Sequence, residues 1–323
     1  MKRRILVIIA SFVILIAIIA FMIIKFGSGF QKEDKITIFT TIYPEYDFAK
    51  AIVGDKMEIV RLIGPGVEIH TYEPSSKDMI RIAEADAFIY TGDDMEPWAS
   101  KIIEAIEEYP VDIVDTSKNI EMIDSDEFME EYSLLEEISH EEEHYEEEER
   151  DGHIWMNPQN AVIMIDTILE EIVKLDPENK EFYEENARKY QEEILALDKE
   201  IEETLKENHV DVLVFGGEFA YSYFCQRYNL GVVSCYTACG EHSDPSISRI
   251  KKVIEYINQN QISKIFYEEL SEGQISQMIS EETKADAEVF NTLHNVTQEE
   301  IENQEGYISI MRENLKKIIE KKS

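Results

Sequence analysis

Histidines and carboxylates dominate the part of the chain that could do chemistry. Residues 136–158 read EEISHEEEHYEEEERDGHIWMNP, so that His140 and His144 lie in an almost unbroken carboxylate run and His153 follows where the sequence becomes apolar again. Imidazole nitrogen and carboxylate oxygen are ligands of divalent metals. Because unpaired charge is costly to bury, we expect a solvated loop over residues 136–150 and a shaped site that begins at His153. An acidic linker with incidental histidines is the alternative interpretation.

The composition narrows the classes of partner. The formal net charge of the 323 residues is −37, with 31 Lys and Arg against 68 Asp and Glu. Such a protein attracts cations, and it lacks the clustered Lys and Arg that nucleic-acid binding needs. Its three cysteines are too few for a disulfide scaffold: Cys225, Cys235 and Cys239. The last two could pair with each other, bind metal or stay free.

The N-terminus carries a segment that could span a membrane. Lys2, Arg3 and Arg4 precede an uncharged apolar run over residues 5–24, which matches the ~20 residues that a membrane-spanning helix needs. No clear A-x-A cleavage site and no nearby cysteine follow it. We therefore expect residues 1–25 to remain as a membrane anchor and residues 26–34 to form a tether, with the rest on the extracytoplasmic face. A cleaved secretion signal is the alternative.

Short apolar runs alternate with helical segments from residue 35 onward. Strands are predicted in a first set at residues 35–40, 57–63, 87–90 and 111–115, and in a second set at residues 210–215, 230–234, 264–267 and 288–290. Alternating strands and helices are typical of α/β folds with mainly parallel sheets. Between the two sets, apolar residues recur every three or four positions over residues 177–207, which predicts one long amphipathic helix.

These patterns predict an α/β fold of two lobes, each with a mainly parallel four-stranded sheet and flanking helices, bridged by one long helix. The predicted bounds are residues 35–176 for the N-terminal lobe, with the acidic loop at about 121–151, residues 177–207 for the bridging helix and residues 208–323 for the C-terminal lobe. A continuous helix between lobes restricts their relative motion, so we expect ligand release by loop rearrangement and modest tilting.

Four side chains of the metal-ligand type follow predicted strands. His70 follows the second strand, and His153 follows the fourth strand and the acidic loop. In the second half, Glu218 follows the first strand and His294 follows the last. Ligands of open α/β sheets bind beyond the carboxyl ends of the strands. A single loop histidine is more often structural or merely exposed, but four residues selected by one topological rule indicate a shared metal site.

Five stretches resemble the zinc and manganese solute-binding proteins of ABC importers. They are TTIYPEYDFAKAI (40–52), GVEIHTYEPSSKD (66–78), YTGDDMEPW (90–98), DGHIWMNPQNA (151–161) and DPENKEFYEENARKY (176–190). The resemblance covers nearly all of the chain after residue 35. It implies two α/β lobes bridged by a rigid long helix, with one metal ion in the cleft.

The resemblance also implies a ligand set. It places His70 and His153 at the first two ligand positions, and Glu218 where zinc members carry histidine. Asn291 occupies the position of a ligand aspartate, and His294 lies near a glutamate position that some zinc members use. One set suits tetrahedral zinc: His70, His153, Glu218 and His294. The stretch CYTACGEH offers alternatives: Cys235, Cys239, Glu241 and His242.

The predicted function is therefore an extracytoplasmic, monomeric solute-binding component that captures Zn²⁺ in the cleft and delivers it to an ABC permease. The resemblance implies that a His- and Glu-rich loop is common in zinc members, and the negative charge of the loop could raise the local concentration of Zn²⁺. A manganese- or iron-binding member of the same family and a surface adhesion protein with a bound metal are alternatives. A hydrolytic His₂Glu zinc site from His70, His153 and Glu218 is a further possibility, but no obvious nucleophile–base pair accompanies it, and we expect no enzyme.

Overall fold

The computed structural model describes residues 35–135, 150–237 and 245–320. Several predicted features lie outside these ranges: the anchor and tether at residues 1–34, His140 and His144, and the alternative ligands Cys239, Glu241 and His242. Within the described ranges, none of the helices combines the length and apolar character that crossing a membrane requires.

The first half of the chain forms a parallel four-stranded sheet with the strand order β2-β1-β3-β4. Its strands are β1 (Thr37–Thr40), β2 (Glu58–Arg61), β3 (Ala87–Tyr90) and β4 (Asp112–Asp115). The connecting helices are α1 (Tyr43–Val53), α2 (Ser76–Ala83) and α3 (Ala99–Ile106). Every residue of β3 is buried, because helices cover both faces of a parallel sheet.

Part of the predicted acidic loop is regular secondary structure. Strand β5 (Ile123–Asp124) leads into helix α4 (Ser125–Tyr132), and β6 (Arg150–Asp151) pairs with β5 in an antiparallel sheet. The Asp124 carboxylate accepts a hydrogen bond from the Glu127 N–H at 2.9 Å and so caps α4. Phe128 is buried and anchors this helix, a contact that the acidic composition of the segment obscures.

Two long helices follow this small sheet. Helix α5 covers Pro158–Leu175, and α6 (Lys180–Glu207) has 28 residues and begins after a 3₁₀ turn at Pro177–Asn179. At 1.5 Å per residue, α6 is about 42 Å long. The predicted apolar stripe of α6 is buried at Tyr183, Ala187, Ile194, Leu197 and Ile201.

The second half of the chain repeats the parallel arrangement with the strand order β10-β9-β7-β8. Its strands are β7 (Val212–Phe215), β8 (Gly231–Ser234), β9 (Lys264–Tyr267) and β10 (Asp286–Val289). Its helices are α7 (Ser222–Tyr228), α8 (Ile247–Asn260), α9 (Gln274–Thr283), α10 (Gln298–Glu302) and α11 (Tyr307–Ile319). The predicted α/β fold with two four-stranded sheets and one long helix is confirmed.

Hydrogen bonds tie the two halves and α6 together. Asp47 of α1 accepts hydrogen bonds from the Tyr190 hydroxyl on α6 and, at 3.0 Å, from the Tyr307 N–H at the start of α11. The Tyr307 hydroxyl donates to the Trp155 carbonyl at 2.7 Å. The half-buried carboxylate of Asp47 therefore joins the first lobe, the bridging helix and the last helix.

A second connection runs from the end of α4 to the second sheet. The Leu134 N–H donates to the Val232 carbonyl on β8 at 2.8 Å, and Ser133 forms a parallel bridge with Val232. The Leu134 side chain occupies the space beside Gly231, where an added Cβ would lie 2.8 Å from Leu134 Cδ1. The chain before residue 136 is thus attached to the edge strand of the opposite sheet.

Two carboxyl groups are fully buried where β1, β3 and β4 end. Glu45 accepts hydrogen bonds from the hydroxyls of Thr91 and Thr116, and Glu96 accepts from the Thr91 N–H at 2.7 Å and the Thr41 hydroxyl at 2.9 Å. Burial raises the pKa of both carboxyls, to about 7 for Glu96, and the Glu96 charge raises the pKa of Glu45 further. Both carboxyls therefore hold a proton more tightly than an exposed glutamate does.

This pair predicts a pH-dependent stability. Because the folded state holds the proton more tightly than the unfolded chain, the free energy of unfolding falls as pH rises from the ordinary Glu pKa of 4.5 towards the value of about 7 for Glu96. We expect Glu45→Gln to raise the melting temperature by about 2–4 °C at pH 8, with no gain at pH 4.5. Thermal unfolding measured across this range tests it, with Glu104→Gln on the exposed side of α3 as control. Parallel pH profiles for wild type and Glu45→Gln would contradict it.

Candidate metal centre

Three imidazoles from both halves of the chain meet at one place. His70 lies in the loop after β2, His153 precedes a 3₁₀ turn at Ile154–Met156, and His294 lies in the loop after β10. One ring nitrogen of each lies within 4.8 Å of the others. The ring centroids are 4.5 Å apart for His153 and His294, 5.2 Å for His70 and His294, and 5.7 Å for His70 and His153.

This spacing is compatible with a bound metal ion. Zinc at about 2.0–2.1 Å from each nitrogen in a tetrahedral site holds the nitrogens about 3.4 Å apart. Small side-chain rotations would bring the three imidazoles to that distance. The predicted convergence of His70, His153 and His294 is therefore present in the fold.

Two of these imidazoles bury a nitrogen without a hydrogen bond. His153 is 4% exposed and His294 is 8% exposed, and the Nε2 atom of each has no hydrogen-bond partner within the described part of the chain. A buried polar atom without a partner costs about 1–3 kcal/mol. Burial, together with the charges of His153 and His70, lowers the pKa of His294 well below its usual value. The neutral ring keeps its lone pair available to a metal.

A buried carboxylate orients His153. Asp151 Oδ1 lies 2.6 Å from His153 Nδ1 and accepts a hydrogen bond from the His153 N–H at 2.8 Å. Burial alone would raise the pKa of Asp151, but the His153 charge and the hydrogen bonds from His153 and Ser222 lower it overall. An ionised carboxylate on Nδ1 directs Nε2 towards the other imidazoles. This role of Asp151 is not predicted from the sequence, where the D-x-H spacing of Asp151 and His153 is its only signal.

Gly152 lets the His153 segment lie against the first lobe. A Cβ atom at this position would lie 2.7 Å from Met95 Cα and 2.6 Å from Met95 Cβ. Contacts this short require the backbone to move. The position of His153 therefore depends on the absence of a side chain at Gly152.

The loop that carries His294 is held by Asn291. The Asn291 side-chain oxygen accepts from the Leu293 N–H at 2.8 Å, and its amide nitrogen donates to Glu300 at 3.1 Å. Leu293 has a positive φ of 61°, which is uncommon outside glycine. Asn291, which the resemblance places at a ligand position, instead uses its side chain to stabilise this turn.

Glu218 lines a cavity together with His70 and His294, but it does not belong to the group of three converging histidines. A cavity of about 230 Å³ is lined by Glu68, His70, Glu218, Glu268, Glu269, Leu270, Ser271 and His294. The group whose ligand atoms all lie within 4.8 Å of one another contains the three histidines and not Glu218. Coordination by Glu218 would require its side chain to rotate, so its role as a ligand stays a prediction.

Cys235, an alternative ligand in the sequence analysis, lies elsewhere. It packs in the apolar core of the second sheet with Val214, Val253 and Ile265. Burial raises the pKa of its thiol to about 12, which keeps the thiol protonated and disfavours metal binding. Cys225 is also buried, and both have free thiols.

The sequence and the fold match those of a known protein family. The family model described as "ZnuA: Zinc-uptake complex component A periplasmic" matches residues 38–321. The chain belongs to this family. Within the ZnuA family, it is 32% identical over 289 residues to the high-affinity zinc uptake system protein ZnuA of Bacillus subtilis, covering 90% of this chain and 88% of that one.

A second relative is a longer protein. The zinc-binding lipoprotein AdcA of Streptococcus pneumoniae is 31% identical over 306 residues, which covers 94% of this chain and 59% of AdcA. The chain thus spans about three fifths of that protein. The crystal structure of the Zn(II)-bound ZnuA-like domain of AdcA matches with a TM-score of 0.72 and 29% identity, covering 88% of this chain and 97% of that domain.

The close approach at Gly152 yields a prediction for stability. Gly152→Ala forces Met95 and the His153 segment apart, and overpacking of this kind costs about 1–3 kcal/mol. We expect a lower melting temperature in thermal unfolding of the metal-free protein. The control is Gly64→Ala, since an added Cβ there meets nothing within 4 Å. Equal melting temperatures for the two variants would refute the steric account.

Proposed function

We propose that this ZnuA-family protein binds Zn²⁺ through His70, His153 and His294, with a carboxylate from Glu218, and delivers the ion to an ABC permease outside the cytoplasm. The observation that carries the proposal is the convergence of three imidazoles, two of which have a buried Nε2 atom without a hydrogen-bond partner among the described residues. Zinc in proteins prefers nitrogen and carboxylate ligands in fourfold coordination. The family description and the zinc-binding names of the relatives support the same cargo.

Manganese is the alternative cargo. Carboxylates of Glu68, Glu218, Glu268 and Glu269 line the cavity beside the imidazoles, and oxygen ligands suit harder ions. The three imidazoles favour zinc, because affinity at nitrogen sites rises strongly from Mn²⁺ towards Zn²⁺. The cavity carboxylates then attract the cation electrostatically whichever ion is bound.

The remaining parts of the proposal concern place and partners. A permease partner is supported by the name of the Bacillus subtilis relative as part of a zinc uptake system. A membrane-attached location is supported by the lipoprotein name of the Streptococcus pneumoniae relative and by the apolar run at residues 5–24. A monomer and lobe bounds at residues 35–176, 177–207 and 208–323 belong to the same proposal.

Metal analysis of the purified full-length protein tests the ligand set. We expect one tight equivalent of zinc, with His153→Ala and His294→Ala losing it and Glu218→Ala weakening binding about 10–100-fold in competition with a chelator. His209→Asn is the control, because His209 is exposed and its positive φ of 54° suits asparagine. Full zinc affinity in His294→Ala would remove that residue from the site, and tighter binding of Mn²⁺ than Zn²⁺ would select the alternative cargo.

Growth under zinc limitation tests delivery. In cells whose zinc import depends on this protein, we expect His153→Ala to stop growth in chelator-treated medium and excess zinc to restore it, because the variant cannot load the ion. His209→Asn should grow like wild type. Growth of His153→Ala at wild-type rates in limiting zinc would argue against a transport role.

A further inference from the structure

His294 is connected to the half-buried carboxyl of Glu269 through a hydroxyl. Its Nδ1 atom lies 2.8 Å from Thr292 Oγ1. Thr292 Oγ1 in turn lies 2.9 and 3.0 Å from the two carboxyl oxygens of Glu269. The Thr292 N–H also donates to Glu269 Oε2 at 2.8 Å. Three residues therefore form one continuous hydrogen-bonded chain that ends on the imidazole.

The sheet register builds this chain. Strands β9 and β10 are parallel neighbours with Tyr267 opposite Val289, so the segments that follow them leave the same edge of the sheet. Glu269 leaves β9 and Thr292 leaves β10. From the other lobe, the Trp155 indole N–H donates to the Thr292 carbonyl at 2.7 Å. Thr292 is thus held at its N–H, its hydroxyl and its carbonyl.

The hydrogen bonds between Glu269, Thr292 and His294 have a preferred donor-to-acceptor direction. A hydroxyl carries one proton, and an ionised carboxylate can only accept. When Glu269 is ionised, the Thr292 proton points to Glu269, and Thr292 Oγ1 accepts from His294 Nδ1–H. Nε2 then carries the lone pair, which is the atom without a hydrogen-bond partner among the residues described. Burial raises the pKa of Glu269 to about 7, while the donations from Thr292 oppose that shift, so pH 8 favours the ionised carboxylate.

We propose that Glu269, acting through Thr292, is a positioning residue that holds His294 in the Nδ1–H tautomer and presents Nε2 to the metal. This inference rests on the proposed function for its purpose and on the hydrogen bonds alone for its structure. It assigns His294 the same kind of support that Asp151 gives His153, with a hydroxyl inserted between carboxylate and imidazole.

Two substitutions of Thr292 distinguish the effect of its hydroxyl from the effect of its side-chain volume. Thr292→Val removes the hydroxyl at nearly constant volume, whereas Thr292→Ser keeps the hydroxyl and removes the methyl group. Glu269→Gln keeps an oxygen for the Thr292 N–H, but its amide can donate to Thr292 Oγ1 and reverse the chain. The control is Thr283→Val on α9, which loses a buried hydroxyl that donates to the Ile279 carbonyl at 2.7 Å, away from the three histidines.

The first measurement is the tautomer of His294 in the metal-free full-length protein at pH 8. Histidine ¹⁵N shifts from selectively labelled protein, assigned by comparison with His294→Gln, report it directly. We expect Nδ1–H in wild type, Thr292→Ser and Thr283→Val, and a shift towards Nε2–H in Thr292→Val and Glu269→Gln. An Nε2–H tautomer in wild type, or an unchanged tautomer in Thr292→Val, would overturn the proposal.

The second measurement is the zinc dissociation constant by chelator competition. We expect it to rise about 10–100-fold in Thr292→Val and Glu269→Gln and to stay within twofold of wild type in Thr292→Ser and Thr283→Val. Equal losses in Thr283→Val and Thr292→Val would show a general effect of lost stability and overturn the positioning role. A wild type that binds no zinc but shows the expected tautomers would instead reject the proposed function and leave the positioning role standing.

Discussion

Three imidazole nitrogens within 4.8 Å of one another form an arrangement that the fold must hold in place. Two of the rings, those of His153 and His294, have a buried Nε2 atom without a partner in the described structure, and such atoms lose their hydration on folding. Each of these two rings is fixed through its other nitrogen, by Asp151 for His153 and by Thr292 for His294. The rest of the site serves this orientation, from the close backbone approach at Gly152 to the left-handed turn at Leu293.

The site is divided between the lobes, so its geometry depends on their relative placement. His70 and His153 come from the first half of the chain, and His294 comes from the second. Asp47 connects α1, α6 and α11, and the Tyr223 hydroxyl on α7 donates to the Asp151 carbonyl at 3.0 Å beside His153. Contacts of this kind favour small movements of loops over wide rotation of lobes. A continuous helix of about 42 Å predicts the same limited motion.

Periodicity and topology predict most of the fold. Strand–helix alternation identifies both sheets and the apolar stripe identifies α6, because each is a local pattern. The rule that ligands lie beyond strand ends selects His70, His153 and His294 before any coordinates are known. It also selects Glu218, which lines the cavity without joining the cluster.

What the pattern does not predict depends on long-range contacts. No motif or periodic pattern in the sequence distinguishes Glu269 or Thr292. Only the β9–β10 register places the two residues together. The Glu45–Glu96 pair requires α1 and the segment after β3 to pack on each other. Helix α4 is hidden by its acidic composition, since one buried Phe128 decides its packing. In each case the deciding contact joins residues whose own neighbours give no periodic signal.

The attachment of Ser133 and Leu134 to β8 has a consequence for solubility. Strand β8 ends its sheet, and the free backbone groups of a terminal strand can recruit the same strand from another molecule. The bridge at Val232 occupies part of that border with the protein's own chain. The chain's own residues 133 and 134 therefore protect part of this edge strand against pairing with a second molecule.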